Sequence, residues 1–149
     1  MRKIIIIVLA SFILNNCGYT PIYSSKEKNF YIEKISKKNS SKLNSKFANN
    51  LKIFSNKNSK NIIEIEIDSV KKIETSQKDN KGDPSRFQMI IVLNINIIGE
   101  NYNKTKSFSS NFNYDNDSNK FSLKQYEKKI ADTLLSKIVE ELVIYLSDL

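Results

Sequence analysis

An α+β two-layer sandwich, with two helices packed on one face of a mostly antiparallel four-stranded sheet in the order β-α-β-β-β-α, is predicted by three patterns in the sequence. Apolar residues alternate with polar ones over 62–70 and again over 87–97, the two-residue period of a strand with one buried face. Two further stripes, within 43–54 and 123–146, recur at three and four residues, the period of an amphipathic helix. Turn-forming residues separate the runs. Every stripe can be buried at once only if both helices lie on the same side of the sheet.

The elements follow in order. Phe30 to Ile35 is a short apolar-rich run and reads as the first strand. Leu43, Phe47, Leu51 and Phe54 line one face of a helix between Ser40 and Phe54, which Ser40 or Ser41 can cap. In the next strand, Ile62 to Val70, Ile63, Ile65 and Ile67 point one way and Glu64, Glu66 and Asp68 the other. The segment from Lys71 to Ser85 shows no period and is rich in charges and turn formers, so it is expected to be a long, mobile loop. Phe87, Met89, Ile91, Leu93, Ile95 and Ile97 form the longest alternating stripe, and Gly99-Glu100-Asn101 reads as a hairpin turn. The following strand places Tyr102, Phe108, Phe112 and Tyr114 on one face, opposite Asn103, Thr105, Ser107, Ser109, Asn111 and Asn113. A long last helix is expected from Ser122, with Ser122 and Gln125 at capping-box spacing and Phe121 with Tyr126 at staple spacing. Its apolar stripe is Leu123, Tyr126, Ile130, Leu134, Ile138, Leu142 and Tyr145 or Leu146.

The N-terminus has a different logic. Arg2 and Lys3 precede an uncharged, apolar-rich stretch from Ile4 to Leu14, the charged and apolar regions of an export signal. Eleven helical residues reach only about 16 Å, against the roughly 20 residues needed to cross a bilayer. The stretch therefore directs export and does not span. It closes at Leu14-Asn15-Asn16-Cys17-Gly18, and Cys17 is the only cysteine. That is where a bacterial lipoprotein carries its lipid, although Asn16 stands where Gly, Ala or Ser is usual. The competing reading is an uncut signal-anchor with an idle thiol. The expected organisation is residues 1–16 as a lipoprotein signal peptide, 17–29 as a tether and 30–149 as a single domain. A diacylglycerol and an N-acyl chain on Cys17 would anchor the protein stably, since two chains already suffice. Gly18, in place of an Asp, favours the outer membrane.

The formal net charge is +8, and loss of Arg2 and Lys3 lowers it to +6. An exported lipoprotein does not meet nucleic acid, so phosphorylated lipid head groups are the natural anionic partner, unless the lysines only solubilise the chain. There is no histidine, no thiol beyond Cys17, and no Gly-rich phosphate loop among three glycines. Glu64, Glu66 and Asp68 share one strand face, whereas paired-carboxylate hydrolysis wants its groups across a cleft. No enzyme, no cofactor and no metal site is expected. The surface that stands out is nearly uncharged: Gln88, Asn94 and Asn96 on one strand, with Ser107, Ser109 and Asn111 on the next. Such a face suits a wet protein interface, such as a barrel interior, or is an ordinary Asn-rich solvent face.

Three segments resemble one family. Cys17-Gly18-Tyr19-Thr20-Pro21-Ile22-Tyr23 is similar to the start of mature alphaproteobacterial LPS-assembly lipoproteins, the LptE family; Arg86-Phe87-Gln88-Met89-Ile90-Ile91-Val92-Leu93-Asn94 resembles its aromatic-Gln-Met strand; and Ala131-Asp132-Thr133-Leu134-Leu135-Ser136-Lys137-Ile138 resembles its C-terminal helix. The resemblance implies an outer-membrane, periplasm-facing lipoprotein that plugs the β-barrel translocon of lipopolysaccharide, supports its assembly and binds lipopolysaccharide during insertion. Family members use basic side chains near the loop before this strand. Asn80 stands at the nearest position here, between Lys78 and Lys81, and Lys78, Lys81 and Arg86 are the candidate lipopolysaccharide contacts. A free periplasmic lipoprotein binding a small ligand or cell-wall polymer through the same sheet is the alternative. Replacing Cys17 with Ser is expected to leave an uncut or soluble, unacylated product; a wild-type protein whose mass corresponds to an intact, unmodified Met1 start would contradict lipidation.

Overall fold

The computed structural model describes residues 29–149. The signal segment 1–16, Cys17 and the tether up to residue 28 lie outside the described residues. Six elements follow: β1 (Tyr31–Lys37), α1 (Lys42–Lys52), β2 (Ile62–Lys78), β3 (Pro84–Ile98), β4 (Asn103–Asp115) and α2 (Lys120–Ser147). The sheet order equals the chain order. β1 and β2 run parallel, so α1 is the crossover between them, while β2–β3 and β3–β4 are antiparallel. The expected α+β arrangement is the observed one.

Both helices cover the same face. α1 packs on β1 and β2, and α2 on β3 and β4 and against α1. Between them they bury the predicted stripes: Ile63, Ile65 and Ile67 of β2, Met89, Ile91, Leu93, Ile95 and Ile97 of β3, and Phe47 and Leu51 of α1 are all 1 % exposed or less. At about 1.5–3 kcal/mol per large side chain removed from water, this row is the main cohesive force of the domain. The buried strip of α2 is wider than the stripe expected, because Leu135, Val139 and Val143 join Leu134, Ile138 and Leu142 where the helix fits between α1 and the sheet.

Four expectations are corrected. Residues 71–78 are not loop: β2 runs on to Lys78 in register with β3, and only Asp79 to Asp83 turns. Asp79 Oδ1 accepts from the backbone amides of Lys81 (2.8 Å) and Asp83 (2.9 Å), and Gly82 takes φ +87°, a conformation open mainly to glycine. The strand escaped notice because β2 is exposed from Val70 onward on both faces, beyond the reach of α1, so no apolar alternation marks it. Second, α2 starts at Lys120, not Ser122. Asn119 is the cap, its side chain accepting from the amides of Phe121 and Ser122, both at 3.1 Å. Third, Tyr126 lies half exposed rather than in the buried stripe. Fourth, Tyr102 belongs to the turn before β4, and Lys104, Lys106 and Ser110 share the helix-side face with Phe108, Phe112 and Tyr114. At that turn a Cβ on Gly99 would stand 2.4 Å from the Tyr102 ring, so the close approach requires glycine.

Two polar contacts locate the helices. Ser41, one of the two serines expected to cap α1, accepts from the Asn44 amide at 3.0 Å. Asn44 itself is fully buried, and its side chain donates to the Asn39 carbonyl and Oδ1 and accepts from Ser69 Oγ of β2. Its amide group therefore ties α1 to the strand beneath it. At the other helix, Tyr114 Oη donates to Glu127 Oε1 at 2.7 Å, joining β4 to the first turns of α2. An exposed Lys46–Asp132 ion pair links the two helices and adds well under 1 kcal/mol.

Asn44→Ala is expected to lower the unfolding free energy by about 1–3 kcal/mol by stranding Ser69 Oγ and the Asn39 carbonyl; urea denaturation followed by circular dichroism measures it, and an unchanged midpoint would remove Asn44 from the interactions that hold α1. Burial, and then the hydrogen bond to Glu127, raise the Tyr114 pKa above its ordinary value. In the unfolded chain the phenol ionises near pH ~10. Above that pH the unfolded state loses a proton that the folded state keeps, so stability is expected to fall as pH rises from about 10. Tyr114→Phe should flatten that alkaline decline in a pH series of thermal melts, relative to wild type.

Candidate functional site

The face of the sheet turned away from the helices carries the candidate site. Strand register assembles it row by row. Starting from the β3–β4 turn, Lys34, Glu64, Ile98 and Asn103 lie side by side across β1 to β4. Ser36, Glu66, Asn96 and Thr105 form the next row, followed by Asp68–Asn94–Ser107, Val70–Val92–Ser109, Lys72–Ile90–Asn111 and Glu74–Gln88–Asn113. The six residues singled out from the sequence, Gln88, Asn94, Asn96, Ser107, Ser109 and Asn111, thus share one continuous face. Two cross-strand hydrogen bonds knit it: Thr105 Oγ1 to Asn96 Oδ1 at 3.3 Å and Gln88 Nε2 to Asn111 Oδ1 at 3.5 Å.

Sequence reasoning missed how this face is graded. β2 contributes Glu64, Glu66, Asp68, Lys72 and Glu74, whereas β3 and β4 contribute no charge at all to these rows. Val70, Val92 and Ile90 form an apolar centre between the two halves, with Val70 42 % exposed. The juxtaposition depends on register across three strands, and no local spacing could announce it. The carboxylates lie on the solvent side, as expected. Asp68 accepts from Asn39 Nδ2 at 2.9 Å, and Glu64 stands 3.9 Å from Lys34. A shallow hollow of about 280 Å³ is lined by Lys38, Glu66, Asp68, Asn94, Asn96 and Thr105. Among the described residues no group of three or more His, Cys, Asp or Glu is placed to hold a metal ion.

The candidate basic residues occupy the β2–β3 hairpin, at the far end of the sheet. The tip is not basic as a whole. Lys78 and Lys81 stand beside Asp79 and Asp83, and Arg86 Nε donates to Asp115 Oδ1 of β4 at 2.9 Å. Three cations and three carboxylates thus gather at this end, with Arg86 and Asp115 paired. On the helix side of this end, Phe112 and Tyr126 are 44 % and 46 % exposed and Phe121 is 72 % exposed, next to a hollow of about 610 Å³ that Arg86, Phe112, Tyr114, Leu123 and Tyr126 help to line. Cys17 lies outside the described residues. Within them, no helix is long and apolar enough to cross a membrane.

No family model and no curated protein matches the sequence. Solved structures do share the fold. Rare lipoprotein B from Shewanella oneidensis superimposes with a TM-score of 0.56 at 9 % identity, covering 78 % of this chain and 96 % of that one. A Caulobacter crescentus CB15 protein described provisionally as a lipoprotein gives 0.54 at 5 % identity, over 81 % of this chain and 89 % of that one. An uncharacterized lipoprotein B from Nitrosomonas europaea gives 0.53 at 11 % identity, over 78 % and 84 %. At such identities the likeness is one of fold. These three chains are named as lipoproteins.

Proposed function

We propose that this chain is an outer-membrane, lipid-anchored lipoprotein, facing the periplasm and without enzymatic activity, that plugs the β-barrel translocon of lipopolysaccharide, supports its assembly and binds lipopolysaccharide during insertion. The observation that carries the reading is the open sheet face, which neither described helix covers and which carries no charge on β3 and β4 from the Gln88–Asn113 row to the Ile98–Asn103 row. A free solvent face normally carries lysine and glutamate. Amide and hydroxyl groups around a small aliphatic centre can instead meet the polar inner wall of a barrel without burying an unpaired charge. The signal sequence closing on Cys17, the LptE-like segments and the fold shared with lipoproteins all support the same reading. In it, Lys78, Lys81 and Arg86 at the hairpin tip make the lipopolysaccharide contact, at the end of the domain remote from Asn29. The hollow lined by Glu66, Asp68, Asn94 and Asn96 favours a second reading, a free lipoprotein holding a polyhydroxylated small ligand or cell-wall polymer.

The decisive experiment places a charge on the uncharged half of the face. Asn96→Lys and Ser109→Glu each lie on an exposed or half-exposed surface of the domain, so the monomer should keep its circular dichroism spectrum and melting temperature. In a desolvated contact the same charge costs several kcal/mol. Co-purification with a β-barrel from detergent-solubilised outer membrane should therefore fall by at least about tenfold, the equivalent of 1.4 kcal/mol. Barrel recovery equal to wild type would leave the face to solvent and favour the second reading.

A further inference from the structure

The two edges of the sheet are unlike. β1 carries Glu33, Lys34 and Lys37, and its pairing with β2 is irregular between Ile32 and Lys34, features that discourage an edge from pairing with another chain. β4, the opposite edge, lacks them over most of its length. It pairs with β3 residue for residue from Asn103 to Asp115, without bulge or proline, and it is uncharged from Ser107 to Tyr114. A long, regular, uncharged edge is a template for one more strand.

Hydrogen bonds at both ends of β4 fix which backbone groups it offers. The Gly99 amide donates to the Tyr102 carbonyl and the Asn116 amide to the Ser85 carbonyl, both at 2.9 Å. Bonding direction alternates along an antiparallel strand, so the even-numbered residues of β4 turn their N–H and C=O groups toward β3. Those of the odd-numbered residues from Asn103 to Asp115 point away from the sheet, and no described strand meets them.

We propose that this edge pairs with the same edge of a second copy of the chain, β4 antiparallel to β4 about a two-fold axis at Ser109. Ser109 is the midpoint of the strand, so this register pairs its whole length through the outward groups. On the open face it sets Ser107 opposite Asn111 and Thr105 opposite Asn113, hydroxyl against amide. On the helix side it sets Lys106 opposite Phe112 and Lys104 opposite Tyr114, so the lysine stem covers the half-exposed Phe112 ring and no cation faces a cation. The lysines stand at one end of β4 and Asp115 at the other, and the two-fold brings these unlike ends together. A register centred on Thr105 would instead set Lys104 against Lys106. The pairing uses the strand edge, not the open face or the hairpin tip, so it stands independently of the barrel reading.

Cα atoms of a hydrogen-bonded antiparallel pair lie about 5.5 Å apart, within reach of a disulfide. Ser109→Cys, at an exposed position, is therefore expected to give a disulfide-linked dimer on mild oxidation of the full chain purified in detergent, with micelles in excess over protein. Ser107→Cys should stay monomeric, because the two-fold leaves its two copies about 13 Å apart along the strands. Ser107→Cys combined with Asn111→Cys should link. In the Ser109→Cys background, adding Ser107→Lys and Asn111→Lys sets lysine against lysine and should abolish the dimer, whereas Ser107→Lys with Asn111→Glu should restore it. A monomeric Ser109→Cys would overturn the pairing. So would linkage of Ser107→Cys, or of wild type, equal to that of Ser109→Cys, because the contact would then be random collision, and so would a dimer that the paired lysines leave intact.

Discussion

One constraint organises this domain: two helices can cover only one face of a four-stranded sheet. The apolar rows of β2 and β3 must then all point to the helix side, and the other face must satisfy water or a partner with whatever remains. β3 obeys this most strictly, because it lies between β2 and β4 and beneath α2. Its odd-numbered residues from Met89 to Ile97 are 1 % exposed or less, while Ile90, Val92 and Ile98 share the outer face with Gln88, Asn94 and Asn96. A one-residue slip of β3 would exchange these sets, so the identity of the open face and the integrity of the core are the same fact.

The helix layer also stops short. α1 ends its cover of β2 near Ser69, where Asn44 reaches the strand, and from Val70 to Lys78 that strand has exposure on both faces. Backbone pairing with β3, rather than burial, holds the overhang in place. A hairpin stabilised in this way opens more readily than the core. The domain therefore has two unlike ends: a packed one, where Asn29 enters and the β3–β4 turn closes over Tyr102, and a projecting one carrying Lys78, Lys81 and Arg86. Carboxylates stand among the cations of the projecting end, and one of them, Asp115, pairs with Arg86, so an anionic ligand meets local cations there rather than a broad positive field.

Polar groups inside the core are few and mostly satisfied. Asn44 has its donors and acceptor matched by Asn39 and Ser69, and Tyr114 by Glu127, each fastening a helix to a strand. Ser110 is different: its hydroxyl is buried on β4 between Phe108 and Phe112 without a protein partner. Leaving that hydroxyl unpaired costs about 1–3 kcal/mol, but the small side chain keeps the helix-side face of β4 narrow enough for α2 to lie close.

The sequence by itself determined the element order, the α+β class, the core positions of β2 and β3, a serine cap at 40 or 41 and the uncharged residues of β3 and β4, because each is written as a local period or a local cap. What only the tertiary structure decided is non-local. The extension of β2 to Lys78 rests on hydrogen bonds to β3, and backbone pairing without burial leaves no trace in side-chain pattern. The start of α2 at Lys120, capped by Asn119, rather than at Ser122 depends on where the chain leaves β4, and the half-exposed Tyr126 on how far the helix overhangs the sheet. The gradient from acidic β2 to uncharged β4, and the meeting of Ile62 and Ile98 beside Glu33 and Glu100, come from register across strands that are distant in the chain. Periodicity reports which side of an element is buried; which residues of different elements become neighbours is settled only when the strands pair.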